Sequence, residues 1–336
     1  MASCSKRSSS SHMPIELVEE ILCRVPLGSL ARFISICKEW YTLFNDKRSI
    51  YKHLDLSQKR FIHVDERRKV QHLNPETQAI SCLQGPSGNF TMIHCDGLLL
   101  CQRYSDKRNL AVWNPFLRRV KWIEPSNSCK RFDVYGFGHD NVSRENYKIL
   151  GFDTEGRSLE IIEIYEFKSK LWRSVDASLN SCAKLWYTLS NRGLSMNGNM
   201  YWIARRKEDD SKTIASFDFS RETFKEISCG VPFDDAVTDA VVSWSKFLDL
   251  TSSHDFPMLC SSHCIFPAYF IDHKTNNIMV RCGKLDVMKT YFDFTVYEMC
   301  DRELKEHVLT GRSRWSYTKA PMRCYEYVPS LVPVPE

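Results

Sequence analysis

The chain has 336 residues, of which 43% are hydrophobic and 26% charged, with a formal net charge of +5. This is ordinary globular composition with room for a large core and more than one domain, and it argues against a disordered or collagen-like chain. Residues 1–60 hold ten Lys or Arg against six Asp or Glu, so most of the excess charge sits there and reads as a solvated face, not a nucleic-acid site. Aromatic content of 12%, with 8 Trp, favours β-structure. The first twelve residues, MASCSKRSSSSH, lack the apolar core of a signal peptide, and no apolar run reaches bilayer length. The expectation is therefore a protein of the nucleus or cytoplasm with no membrane partner. The 14 Cys are scattered without a C-x-x-C pair, which fits buried or idle thiols in a reducing compartment.

Residues 1–12 form a Ser-rich tail that composition predicts to be disordered. A helical segment follows, PIELVEEILCRVPLGSLARFISICKEW, residues 14–40. Pro14 can open a helix because the first helical position needs no N–H donor. Glu16, Glu19 and Glu20 meet the positive end of the helix dipole. Leu17, Val18, Ile21, Leu22 and Val25 repeat at helical period as one apolar stripe. Pro26 stops that helix. Leu30, Phe33 and Ile34 give a second short helix, and Ile36, Cys37, Trp40, Tyr41 and Phe44 a third. Three such helices bury little surface alone. Periodicity leaves two readings open: a cap that packs on the rest of the chain, or a hook that docks on a separate protein.

The order of residues Met13-Pro14, Leu17, Ile21-Leu22, Val25-Pro26, Leu30, Ile36-Cys37 and Trp40 resembles the F-box, LP-x-x-L-x-x-x-IL-x-x-LP-x-x-x-L-x-x-x-x-x-VC-x-x-W. Met13, Val25 and Ile36 replace the usual Leu, Leu and Val, apolar for apolar. The resemblance implies a three-helix hook over residues 13–56 that binds the Skp adaptor of an SCF ubiquitin ligase and, through it, cullin and RING subunits. The residues carried over to that interface are Met13, Pro14, Leu17, Ile21, Leu22, Val25, Pro26, Leu30, Ile36, Cys37 and Trp40. Pro14, Leu17 and Pro26 are expected to lean outward, with Leu22 and Trp40 shared with the core of the hook.

Residues 57–89 read as a connecting segment of short β-like pieces and a charge cluster. From residue 90 to 336 the pattern has period two, with strand candidates such as CDGLLLC, NLAVWNP, DVYGFG, YKILGF and TIASFDF. Asp96-Gly97, Asn114-Pro115, Asn197-Gly198 and Asn276-Asn277 mark turns. One unit recurs, a strand ending in an aromatic, a polar turn and a second strand: VWNPFLRRVKW, IYEFKSKLW, SFDFSRETF and YFIDHKTNNIM. Its leading aromatics, Trp113, Tyr165, Phe217 and Phe270, lie 52, 52 and 53 residues apart. A period near fifty built of short antiparallel strands predicts a kelch-like propeller, with a β-sandwich of evenly spaced hairpins as the alternative. The same region, with YGFGHDNVSRENYKIL, LSMNGNMYWIA, VVSWSKFLDL and the closing YVPSLVPVP, is similar to the plant F-box-associated interaction domain of type one. Together the two resemblances imply the target-recognition subunit of an SCF ligase, a non-catalytic adaptor. A non-ligase scaffold and an enzyme on a propeller remain the alternatives.

Chemical motifs add little. His254, Cys260, His263 and Cys264 are possible soft ligands, but C-x-x-H-C between Pro257 and Pro267 is not a closed zinc pattern, so no metal is expected. Gly136-Phe137-Gly138 lacks the third glycine and the helix of a phosphate loop, so no cofactor is expected either. No G-x-S-x-G, H-E-x-x-H or P-loop occurs, and no residue is assigned a catalytic role. Trp113, Trp122, Trp172 and Trp202 lie on strands at repeat positions and read as core. Trp186 and Tyr187 fall between repeats, where an aromatic pair on a connection could anchor a target.

Overall fold

The computed structural model describes residues 13–34, 37–64, 69–73, 80–86, 90–103, 109–127, 132, 134–140, 142–152, 162–175, 193–205, 212–227, 268–272, 275, 277–285, 291–300, 303–314 and 324–336. The hook holds four helices where the sequence predicted three: α1 (Ile15–Leu22), α2 (Leu27–Ile34), α3 (Lys38–Asn45) and α4 (Lys47–Leu56). Each proline acts at a helix start. The Pro14 carbonyl accepts from Leu17 and Val18 N–H at 3.0 and 3.2 Å, and the Pro26 carbonyl accepts from Ser29 and Leu30 N–H at 2.9 and 3.0 Å. The α3 N-cap is Cys37, whose Sγ accepts from Trp40 N–H, and the α4 N-cap is Asp46, whose carboxylate accepts from Ser49 N–H at 3.3 Å. Leu22, Leu27, Leu30 and Phe44 form the centre of the hook.

Behind the hook the described strands form five four-stranded antiparallel sheets. Blade I takes β1 (Arg60–Val64), β2 (Val70–Leu73) and β3 (Ile80–Leu83) from just after the hook, and its first strand, β20 (Cys324–Tyr327), from the other end of the chain. β1, β2 and β3 therefore belong to a blade, where the sequence predicted a connecting segment over residues 57–89. Ile62 pairs with Tyr325 and His63 with Cys324, which fastens the first blade to the last strand. Blade II holds β4 (Phe90–Cys95), β5 (Leu98–Arg103), β6 (Leu110–Asn114) and β7 (Arg119–Ile123). Blade III holds β8 (Val134–His139), β9 (Tyr147–Phe152), β10 (Ile162–Glu166) and β11 (Leu171–Ser174). Blade IV holds β12 (Leu194–Met196), β13 (Asn199–Arg205), β14 (Lys212–Asp218) and β15 (Thr223–Ile227). Blade V holds β16 (Ala268–Ile271), β17 (Ile278–Leu285), β18 (Tyr291–Cys300) and β19 (Glu303–Arg314). The architecture is the propeller, not the sandwich.

Apolar faces are buried between neighbouring blades, as stacking modules require. Ile62, Val64 and Val70 of blade I meet Met92, Leu99, Ala111 and Trp113 of blade II. Leu150, Phe152 and Ile164 of blade III meet Met200, Trp202, Phe217 and Phe224 of blade IV. Phe270, Met279 and Val296 of blade V return to Phe61 and Leu73 of blade I. The two-residue hairpins at Asp96-Gly97 and Asn197-Gly198 have positive φ at both positions, 54° and 77°, then 50° and 78°, the geometry that matches strand twist.

Three of the four repeats occupy equivalent places. Trp113, Tyr165 and Phe217 all lie on third strands, and the turns that follow place Arg118, Lys170 and Glu222 at φ of 56°, 58° and 56°. Phe270 does not: it lies on β16, the first strand of its sheet. The third interval is therefore a coincidence of spacing.

Candidate docking surfaces

Helix α1 carries apolar residues on two faces, not on one stripe. Val18 and Leu22, four apart, turn toward the hook core, and Leu22 is only 3% exposed. Leu17 and Ile21, also four apart, turn the other way and are 54% and 53% exposed. Met13 and Ile15 extend this outer row, and Tyr41 on α3 adds an exposed ring. Grouped large apolar side chains left in water mark an interaction surface.

The other residues carried over to the interface divide accordingly. Pro14 and Pro26 are exposed. Leu30 is fully buried and Leu22 is 3% exposed, and both lie in the core of the hook, the place expected for Leu22. Val25 and Trp40 are half-buried against the same core, with Trp40 edge-on to Phe33 at 6.1 Å. Cys37 serves as the α3 cap. Ile36, Trp186 and Tyr187 lie outside the described residues, as do His254, Cys260, His263 and Cys264. Ile15 and Tyr41 were missed by sequence reasoning. The signal was available for Ile15, which is apolar and two residues before Leu17 at the open end of the helix.

In an up-and-down blade the connections alternate between the two ends of the ring. The turns from first to second strand (Asp96-Gly97, residues 140–146, Asn197-Gly198) and from third to fourth strand (115–118, 167–170, 219–222) share one end. The hook sits there. Ile50 and Leu54 of α4 pack with Cys95, Tyr147 and Val328, and Phe116 and Leu331 pack against the hook core. The C-terminal residues 328–332 fill the joint. Asn114 Nδ2 donates to the carbonyls of Ser330 and Val332 at 3.0 and 2.7 Å, while its Oδ1 accepts from Phe116 and Leu117 N–H at 2.9 and 3.0 Å. Gly97 lies against this tail: a Cβ there would meet Ser330 Cβ at 2.1 Å. The second and fourth strands end, and the first and third strands begin, at the opposite end. Val175 and Gly193 bracket the β11–β12 connection that carries Trp186 and Tyr187.

The joint also holds a polar cluster. Cys95, Asp96 and His139 place one possible metal-ligand atom each within 4.8 Å of one another. The donor set does not suit a cation. Both Asp96 oxygens already accept from the Arg144 guanidinium, at 3.0 and 2.8 Å, and Tyr147 Oη donates to one of them at 3.0 Å. Burial pushes the Cys95 thiol far up, away from the thiolate a metal needs. Burial also raises the Asp96 carboxyl, but hydrogen bonds from His139 and Arg144 more than offset this and hold it well below the usual range. Burial pushes Tyr51 up to about 12. The cluster is a charge-paired network, and the G-x-G glycines serve packing likewise: a Cβ on Gly138 would meet the Gly198 carbonyl at 2.1 Å.

Comparison with known proteins bears on both halves. The profile of the F-box domain matches residues 10–52, and that of the F-box associated beta propeller domain matches residues 62–240 and 235–334. An F-box protein of Arabidopsis thaliana is 40% identical over 398 aligned positions that cover 100% of both chains. With 336 residues here, 62 of those positions fall where this chain has none. F-box only protein 15 of the same plant is 40% identical, covering 96% of this chain and 97% of its own. The F-box/WD-40 repeat-containing protein 1 of that plant is 35% identical, covering 97% and 90%.

Proposed function

The chain belongs to the F-box proteins that carry an F-box associated β-propeller domain, and we propose that it is the target-recognition subunit of an SCF-type ubiquitin ligase. The observation that carries this reading is the outer apolar row of the hook, Met13, Ile15, Leu17 and Ile21, left in water beside exposed Pro14 and Pro26. A Skp-type adaptor covers that row and links the chain to cullin and RING subunits. Fully burying a Leu or Ile stabilises by about 1.5–3 kcal/mol, so a few such residues support firm binding after the losses of association.

The target is held at the opposite end of the ring, where the fourth strands end, with Trp186 and Tyr187 as its proposed anchors. Hook and target surface then face away from each other. A bound target lysine is presented to a ubiquitin-charged enzyme borne by the rest of the complex, and tethering turns a bimolecular encounter into an effectively intramolecular one. The chain itself makes and breaks no covalent bond, and it acts in the nucleus or cytoplasm.

The test uses the full chain, because Phe116 and Leu331 complete the hook core. Purified chain is titrated with purified Skp adaptor, wild type against Leu17→Asp/Ile21→Asp. These positions are solvent-exposed, so the double variant keeps its circular dichroism and melting temperature. Expected is a 1:1 complex weakened at least a hundredfold in the variant. No complex with the wild type, or equal binding by both, overturns the reading.

A further inference from the structure

We propose that Arg144 is a positioning residue that bolts the hook to the propeller, so that the distance from adaptor to target surface is set by a side-chain clamp. The inference rests on the proposed function for its purpose, and on geometry for its substance. Arg144 lies in the connection between β8 and β9 of blade III and joins three separate bodies. Its Nε and Nη2 donate to Asp96 Oδ2 and Oδ1, on the first turn of blade II, at 3.0 and 2.8 Å. Its Nη1 donates to Asp55, near the end of α4, 2.8 Å from Oδ1 and 3.1 Å from Oδ2. Its guanidinium lies 4.7 Å from the centre of the Tyr51 ring, also on α4. Its backbone carbonyl accepts from Tyr51 Oη at 3.0 Å.

Residue type matters here. A planar guanidinium can hold one carboxylate in a fork and offer its remaining donors to a second; a lysine ammonium is a point charge without that fork. The blade side of the clamp is firm. The Asp96 side chain is 12% exposed, and it also accepts from Tyr147, whose hydroxyl lies 3.2 Å from that of Tyr51. The hook side is open, with the Asp55 side chain 57% exposed. That pair contributes little to global stability, since exposed ion pairs are worth about 0–1 kcal/mol. Its effect is directional. Only Ser57, Gln58 and Lys59 separate α4 from β1, Ile50 and Leu54 seat α4 against Cys95, Tyr147 and Val328, and the clamp fixes the angle at which α4 lies on that seat. Lys47 at the start of α4 pairs with Glu145, the neighbour of Arg144, on the same side of the joint.

The experiment is a distance distribution across the joint. Genetically encoded spin labels replace Lys38 on α3 and Asn127, beyond the end of β7, because 14 cysteines rule out thiol labelling. Pulsed electron spin resonance is recorded on the full chain, with and without the Skp adaptor, for wild type, Asp55→Asn, Arg144→Lys and Arg144→Ala. Expected is one narrow distribution in the wild type, at least twofold broader in all three variants, with Asp55→Asn unchanged in melting temperature. Equal widths in wild type and Asp55→Asn, or a broad distribution in the wild type, overturn the clamp. Loss of adaptor binding by the wild type would sink the ligase reading while leaving the distance result intact.

Discussion

Removing the Asn114 side chain tests whether the C-terminal tail is the mortar of the joint. Asn114 is fully buried and makes four hydrogen bonds, two to tail carbonyls and two from the turn that follows it. Asn114→Ala leaves the Ser330 and Val332 carbonyls without these donors, and both residues are buried. An unsatisfied buried group costs about 1–3 kcal/mol. Phe116 and Leu117 are half-buried, so water can reach their N–H groups and the turn costs less. The expected total is therefore about 3–5 kcal/mol. For 336 residues, an unfolding entropy of about 2.1 cal/mol/K per residue gives about 0.7 kcal/mol/K, so the melting temperature falls by about 4–7 °C. Asn114→Asp keeps the acceptor but aims a carboxylate at two carbonyls, and it should cost at least as much. Urea unfolding monitored by tryptophan fluorescence supplies the free energies. A loss below about 1 kcal/mol for Asn114→Ala would refute the accounting, since that is the worth of one ordinary hydrogen bond.

Three further outcomes follow from burial and charge. Leu22→Ala, inside the hook, should cost about 2–5 kcal/mol, whereas Leu17→Ala on the outer row should stay within about 0.5 kcal/mol; thermal melts of the two variants separate the faces, and equal losses would contradict them. His63 is buried, and burial, helped by the neighbouring Arg281 charge, holds its pKa down to about 3, so it stays neutral in the fold. Its stabilising contribution is complete above the ordinary histidine value of 6.5 and is lost as the pH falls from there toward the folded value; His63→Gln should flatten the stability profile between pH 6.5 and 5, and an unchanged slope would remove His63 from that role. Trp186→Ala should abolish capture of a target by the intact complex with no change in melting temperature or adaptor binding; unaltered capture would end that assignment.

Local signals were the legible ones. The hook was readable because its helix starts depend on residues beside them, Pro14 and Pro26, and because its apolar residues are local, with Leu22, Leu27, Leu30 and Phe44 at the core and Trp40 half-buried against it. What periodicity could not separate was the inner row from the outer row of α1. Leu17 and Val18, or Ile21 and Leu22, are adjacent in sequence and equally apolar, and only the position of the other helices decides which of each pair is covered. The fourth helix was missed because Lys47–Leu56 mixes apolar residues with Lys, Arg, His and Asp, and its helical start rests on one Asp46 cap.

Long-range pairing was illegible for the same reason that it closes the ring. Residues 60–83 look like a connector because their strands are short and the first-strand partner is β20, more than 250 residues away. A strand whose edge is satisfied only from the far end of the chain carries no local mark of it. Spacing misled in the opposite direction at Phe270, where an interval of 53 residues matched but the strand opens a blade. Blades touch mainly their neighbours, so whole repeats can be gained or lost between them without rewriting the rest. What cannot be lost is the seam, and it is there, at the pairing of β1 with β20 and the tail beyond it, that this chain places its buried Asn114 contacts and seats its hook.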